Sequence, residues 1–191
     1  MARSEEQPPA DDTPGSRAGG RPRRASTGRG GAAGTRAVGG KRHQARILAL
    51  QVLYEVDVTG HAVEDVIAHT FADQPPTAPV RAHVERLVRG TLGAHGDVDP
   101  LIADAAPAFP LAQVPSVDRN VLRLAIFELL NEPEVPAKAA INEAVELAKR
   151  FGGANSGRFV NGVLGTVAER VGRVDGRSPA RADSAEAPPN P

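Results

Sequence analysis

Cysteine and tryptophan are absent from the 191 residues, and there is a single methionine and a single tyrosine. Without cysteine there can be no disulfide, thiolate zinc site, iron–sulfur cluster or cysteine nucleophile. Aromatic residues make up only 3% of the chain, so a core must be assembled from Val, Leu, Ile and Ala, which supply most of the 40% hydrophobic content. No apolar run approaches the roughly 20 residues of a membrane span. The N-terminus has no apolar stretch of the kind a secretory signal requires, and a cytoplasmic address is expected.

Net charge is also missing, at +0 with 23 basic and 23 acidic residues, but the balance is uneven along the chain. Residues 1–46 hold ten basic and four acidic residues, leaving thirteen and nineteen for the remainder. From Thr13 to Arg46 there is no acid at all. A basic arm beside a mildly acidic body fits a polyanionic partner, and it equally fits a plain solubilising tail.

Residues 1–40 are rich in Gly, Arg, Ser, Pro and Ala, with Val38 their one branched apolar residue. Such a segment buries too little surface to offset its conformational entropy and reads as a disordered basic tail. Residues 175–191 read the same way. The folded body is therefore expected over 41–174 as a single domain.

Within the body the apolar spacing is helical nearly throughout, and no stretch alternates long enough for a strand. The expected fold class is all-α, a compact bundle of about seven helices. Ile47, Leu50, Tyr54 and Val58 mark one face of a first helix that Gly60 ends. Val63, Val66, Ile67 and Phe71 mark a second, closed by Pro75–Pro76. Val80, Val84, Leu87, Val88, Thr91 and Leu92 mark a third. Asp99 before Pro100 reads as the N-cap of a short fourth. Ser116 reads as the cap of a fifth, apolar around much of its circumference and expected to be the most buried. Pro136 opens a sixth, which Gly152 and Gly153 stop as left-handed C′ glycines do. Ser156 reads as the cap of a seventh, with Val160, Val163, Leu164, Val167 and Val171 inward.

Catalytic constellations are lacking, so the chain does not read as an enzyme, and no metal or cofactor is expected. Ser116 and Ser156, the only serines of the body, are accounted for as caps. The five histidines show no metal-ligand spacing and read as solvated surface groups. Glu143 and Glu146 read as a solvated helix face, with Glu146 near Arg150. The Gly152–Gly157 run lacks the Lys-Ser/Thr ending of a phosphate loop, although the backbone N–H groups of the helix start after it could hold one phosphate.

Two features carry chemistry of their own. Lys41-Arg42-His43-Gln44-Ala45-Arg46 leads into the first helix, with cations for backbone phosphates and Gln44 and Arg46 able to reach base edges. Arg158-Phe159 pairs a guanidinium with an aromatic, the combination that grips and stacks single-stranded RNA. Packing of Phe159 into the core competes with that reading, and the residues alone favour the packing.

Three longer strings shift the balance: the run from Lys41 through Leu53-Tyr54; Ile141-Asn142-Glu143-Ala144-Val145-Glu146-Leu147-Ala148-Lys149; and Phe159-Val160-Asn161-Gly162-Val163-Leu164. With Val117-Asp118-Arg119-Asn120-Val121-Leu122-Arg123-Leu124 they resemble the NusB family of transcription antitermination factors over about residues 41–172. The resemblance implies two small helical subdomains. It also implies binding to the boxA element of ribosomal RNA leader transcripts. That binding is implied to occur as a heterodimer with NusE, a small-subunit ribosomal protein, alongside other Nus factors and RNA polymerase. RNA contacts are implied at Lys41, Arg42, His43, Gln44, Arg46, Arg158 and Phe159, and contacts with NusE at Tyr54 and Asp118. Either a monomer or a homodimer agrees with the resemblance.

The basic run here is thinner in arginine than in better-known members of the family, and the arginines between Arg17 and Arg36 are expected to compensate by phosphate attraction. The same helical module precedes a ribosomal RNA cytosine methyltransferase. That alternative would need a glycine-rich cofactor domain, for which the residues beyond the helical body are too few and too polar.

Overall fold

A computed structural model describes residues 31–173. The arginine-rich segment up to residue 30 and the tail expected from Asp175 lie outside the described residues. Among those described there are seven α-helices and no strand: α1 (Gly31–Thr59), α2 (Val63–Asp73), α3 (Ala78–Gly93), α4 (His95–Ala105), α5 (Ser116–Asn131), α6 (Ala137–Phe151) and α7 (Ser156–Arg170). A single 3-10 turn, Leu111–Gln113, sits in the α4–α5 connection. The helical backbone of α1 thus reaches ten residues upstream of the boundary at 41 drawn from composition. No described helix is long and apolar enough to cross a membrane.

α5 is the axis of the fold. Its residues from Asn120 through Leu129 are all buried, a full circumference of apolar and paired polar side chains. A helix apolar all round must be surrounded, and α1, α3, α4, α6 and α7 all pack on it. Two groups result, α1–α3 on one side and α4, α6 and α7 on the other, sharing one continuous core. These correspond to the two small subdomains that the resemblance implied.

The core face of α1 differs from the stripe read in the sequence. Ala45, Leu48, Ala49, Val52 and Leu53 are buried at helical spacing, whereas Tyr54 and Val58 are 42% and 55% exposed. Small side chains at 45 and 49 are wholly buried on the face of α1 that the core takes. α3 and α5 meet at Gly90, where the ring of Phe127 occupies the space a side chain would take.

Three caps are built differently from expectation. Pro100 lies inside α4, not at its start, and Ala94 serves both as the C-cap of α3 and as the N-cap residue of α4. Asp99 instead accepts two hydrogen bonds from Arg123, Nε at 2.8 Å and Nη2 at 2.7 Å, fastening α4 to α5. Ser116 and Ser156 are the first residues of α5 and α7, not their caps. Gly60 does end α1 with a left-handed φ of 70°, but Gly152 does not adopt that conformation. Gly152 is required for space, since a Cβ there would lie 2.5 Å from Ser156 Oγ.

Candidate nucleic-acid interface

α1 presents its basic run at the end of the bundle where the C-terminal half of α5 lies. Lys41 and Gln44 are exposed, Arg42 and His43 half-buried. Neither Lys41 nor Arg42 has an acidic partner among the described residues. His43 does, since its Nδ1 lies 2.7 Å from Glu143 Oε2 on α6. Glu143 is therefore an anchor for α1 and not a bare solvated face, while Glu146 pairs with Lys149 at 2.8 Å instead of Arg150.

Arg46 departs most from expectation. Its side chain is 6% exposed and grips Glu128 of α5, itself 2% exposed, through Nε at 2.9 and 3.1 Å and Nη2 at 2.8 Å. Nη1 lies 3.7 Å from Glu143. At 6% exposure the guanidinium has almost no solvent-facing edge to offer a phosphate or a base. Arg46 positions the middle of α1 against α5 and α6, and of the basic run only its neighbours reach the surface.

A polar cluster continues behind it. His83 of α3 and Glu128 and Glu132 of α5 bring ligand atoms within 4.8 Å of one another, a spacing a metal ion could use. Both carboxylates are already paired, Glu128 with Arg46 and Glu132 with Arg86, whose Nη1 lies 2.8 Å from Oε1 off the hydrogen-bonding direction and whose Nη2 donates to Oε2 at 3.3 Å. Two guanidiniums beside two carboxylates neutralise the cluster, so a divalent cation would meet repulsion from both. Burial holds the Glu132 carboxyl above its usual range. Burial also pushes the His83 imidazole down to about 4, with Arg86, Arg46 and Arg42 adding to the effect. Three of the five histidines, His43, His83 and His95, are thus half-buried instead of solvated, whereas His61 and His69 are exposed and share Glu55.

The His83 shift has a testable sign. The unfolded chain binds the proton from about pH 6.5 downward, the folded chain only near pH 4, so stability is fully present above pH 6.5 and is lost as pH falls toward 4. Glu132, raised by burial, works in the opposite sense just above its usual range. Urea unfolding at pH 7 and pH 5 is expected to show a lower midpoint at pH 5. His83→Gln is expected to narrow that gap; an undiminished gap would place its origin elsewhere.

Arg158 and Phe159 stand at the start of α7, beside the N-terminal end of α5. Arg158 is exposed; Phe159 is half-buried and meets Phe109 edge to face at 5.7 Å between centroids. Phe159 packs one edge against the core and Phe109 and also lines an open cleft of about 480 Å³ that takes in Pro115, Asp118 and Asn155. The loop before α7 is internally closed: Gly153 N–H donates to Ser156 Oγ at 2.8 Å, which donates in turn to Asp118 Oδ2 at 2.8 Å. That N–H is not available to a phosphate.

Asp118, only 4% exposed, faces Ser156 and not solvent. Its Oδ1 has no partner. Tyr54 does face solvent, beside an apolar recess of about 280 Å³ formed by Leu50, Gln51, Val117 and Phe151. Tyr54 and Asp118 thus belong to the same end of α5, as one partner face would require, but only Tyr54 is on its surface.

The structure does not bring the basic run and the Arg158–Phe159 pair together. The basic run of α1 is anchored at Glu128 and the start of α7 at Asp118, ten residues apart along α5, or about 15 Å at the helical rise. Sequence reading passed over Arg86 and read His83 as a solvated surface group, because they lie on α3 and approach Lys41 and Arg42 only through tertiary packing.

Comparison with known proteins places this geometry. The NusB family model matches residues 43–169. A transcription antitermination protein NusB from Chloroflexus aggregans is 52% identical over 132 residues, covering 68% of this chain and 88% of that protein. Among solved structures, T. maritima NusB is 33% identical with a TM-score of 0.63, over 67% of this chain and 90% of that one. A crystal structure of antitermination factors NusB and NusE in complex with dsRNA contains a chain of the same fold, 24% identical with a TM-score of 0.63, over 68% of this chain and 97% of that one. With the family match spanning Gln44, Asp118 and Arg158–Phe159 alike, the chain belongs to the NusB family.

Proposed function

We propose that this protein is a transcription antitermination factor that binds the boxA element of ribosomal RNA leader transcripts, together with NusE, and acts with other Nus factors on RNA polymerase in the cytoplasm. The observation that carries the reading is the family match over residues 43–169, which takes in His43, Gln44 and Arg46 of the basic run and all of the Arg158–Phe159 pair. Relatives bearing the antitermination name, and a like-folded chain solved with NusE and dsRNA, support it. The antitermination name of these relatives favours this reading over the methyltransferase alternative.

In this reading Lys41, Arg42 and Arg158 neutralise backbone phosphates, Gln44 reaches a base edge, and Phe159 offers its free face to a base. His43 joins them after leaving Glu143. NusE docks at the apolar recess beside Tyr54, with Asp118 shaping that end of α5 from beneath.

Titration of the full chain into fluorescent boxA-like RNA, with and without NusE, at two salt concentrations and against a scrambled RNA, tests the proposal. Preference for boxA that grows with NusE is the expected result. Equal affinity for both RNAs, vanishing with salt and indifferent to NusE, would leave only non-specific phosphate attraction and sink it.

A further inference from the structure

Between the basic run of α1 and the first half of α3 lies a cleft of about 250 Å³ lined by Lys41, Arg42, Pro79, Val80, His83 and Arg86. We infer that this cleft is a phosphate-binding subsite, in which Arg86 and His83 of α3 join Lys41 and Arg42 of α1 to seat one backbone phosphodiester of the bound RNA strand. The inference rests on the proposed RNA-binding function and extends it to a helix outside the basic run.

Four observations support it. First, the lining is cationic: Lys41 and Arg42 have no acidic partner among the described residues, and Arg86 is 51% exposed at its side chain while paired with Glu132 below. Second, the charged groups facing His83 are Arg42 and Arg46 from α1, Arg86 from its own helix and the Glu128–Glu132 pair from α5. The two buried carboxylates are offset by Arg46 and Arg86, so Lys41 and Arg42 remain as uncompensated positive charge at the mouth.

Third, the tautomer of His83 is fixed. Arg86 Nη2 lies 2.6 Å from His83 Nδ1, and a guanidinium can only donate, so Nδ1 accepts and the ring proton sits on Nε2. That Nε2 is buried and has no hydrogen-bond partner. A buried donor without an acceptor is costly, and a phosphate oxygen is an acceptor. Fourth, three guanidiniums, those of Arg86, Arg46 and Arg42, act on the His83 imidazole, which burial already holds at about 4. The cleft also answers the thin arginine run of α1, since α3 supplies an additional guanidinium to the same surface.

The site can be tested first without mutation, by following the His83 ring through a pH titration by NMR in the full chain. Three samples are compared: protein alone, protein with inorganic phosphate, and protein with a short single-stranded boxA-like RNA. A seated phosphodiester is expected to raise the His83 pKa by a unit or more when RNA is bound. The variant arm uses Arg86→Gln combined with Glu132→Gln, which removes the buried pair together and avoids stranding a carboxylate, with circular dichroism to establish that it folds. Loss of one phosphate contact should weaken RNA binding and reduce the slope of log affinity against log salt by about 0.7, the single-strand value.

The outcomes separate cleanly. RNA binding by the wild type with an unshifted His83 and an unchanged salt slope in the double variant overturns the cleft and leaves the antitermination reading standing. No RNA binding by the wild type overturns both. A His83 shift with inorganic phosphate but none with RNA shows a free-anion pocket and overturns the assignment to the RNA backbone.

Discussion

Replacing Arg46 with alanine is expected to lower folding stability by about 3–5 kcal/mol, the usual consequence of stranding a buried charge. The argument is geometric. Glu128 is 2% exposed at its side chain and accepts three hydrogen bonds from the guanidinium of Arg46. Once that partner is removed, the carboxylate has neither water nor a donor of comparable strength. Arg46→Met combined with Glu128→Leu removes both charges and fills the space, and should recover most or all of the loss, since apolar replacements of buried pairs are often neutral or better. Chemical denaturation of the two variants measures this directly.

The same pair of variants decides what Arg46 does for RNA. The sequence alone suggests a phosphate contact, with weaker binding at every RNA sequence after Arg46→Ala. The structure gives Arg46 a positioning role, so the double variant should bind RNA within about twofold of wild type if Lys41 and Arg42 retain their phosphate contacts. A stably folded double variant with tenfold weaker RNA binding would return Arg46 to the RNA surface.

The second large effect is expected at Gly90. A Cβ there would fall 2.1 Å from the Cζ of Phe127 and within 3 Å of both adjacent ring carbons. Exchange of glycine for alanine inside a helix ordinarily stabilises by about 1 kcal/mol. Here the ring, 9% exposed between α3 and α5, has to move, and overpacking of this kind typically costs about 1–3 kcal/mol. Gly90→Ala is therefore expected to be destabilising, against its helix propensity. Phe127→Leu should relieve the alanine variant, so the two substitutions together should cost less than the sum of the singles. Strict additivity in a double-mutant cycle would mean that the helices do not touch at this point.

Gly90 and Arg46 illustrate where sequence reading stops. Helix number, order and most boundaries were legible, because each depends on local spacing: Val66, Ile67 and Phe71 in α2, or Val160, Val163, Leu164 and Val167 in α7, recur at the helical period and are buried. The burial of α5 was legible for the same reason, its apolar residues leaving no polar face. The face of α1 was not. Tyr54 and Val58 are apolar enough to join a stripe, but the core takes the face that carries the alanines at 45 and 49.

Polar residues were the least legible, since one side chain can serve several local roles and the neighbours that choose among them are distant in sequence. Asp99 before Pro100 satisfies every local rule for a cap, yet Arg123, 24 residues on, claims it. Ser156 could cap α7, but holds Asp118 from 38 residues away. Asp118 is acidic in the position the family resemblance assigns to a partner, and it is buried. By itself, the sequence determined the all-helical class and the family, because these rest on periodicity and on strings of adjacent residues. Only the tertiary structure decided which cations stay free: it buried Arg46 on Glu128 and brought Arg86 and His83 to Lys41 and Arg42, since pairing of charge depends on distance in space and not along the chain.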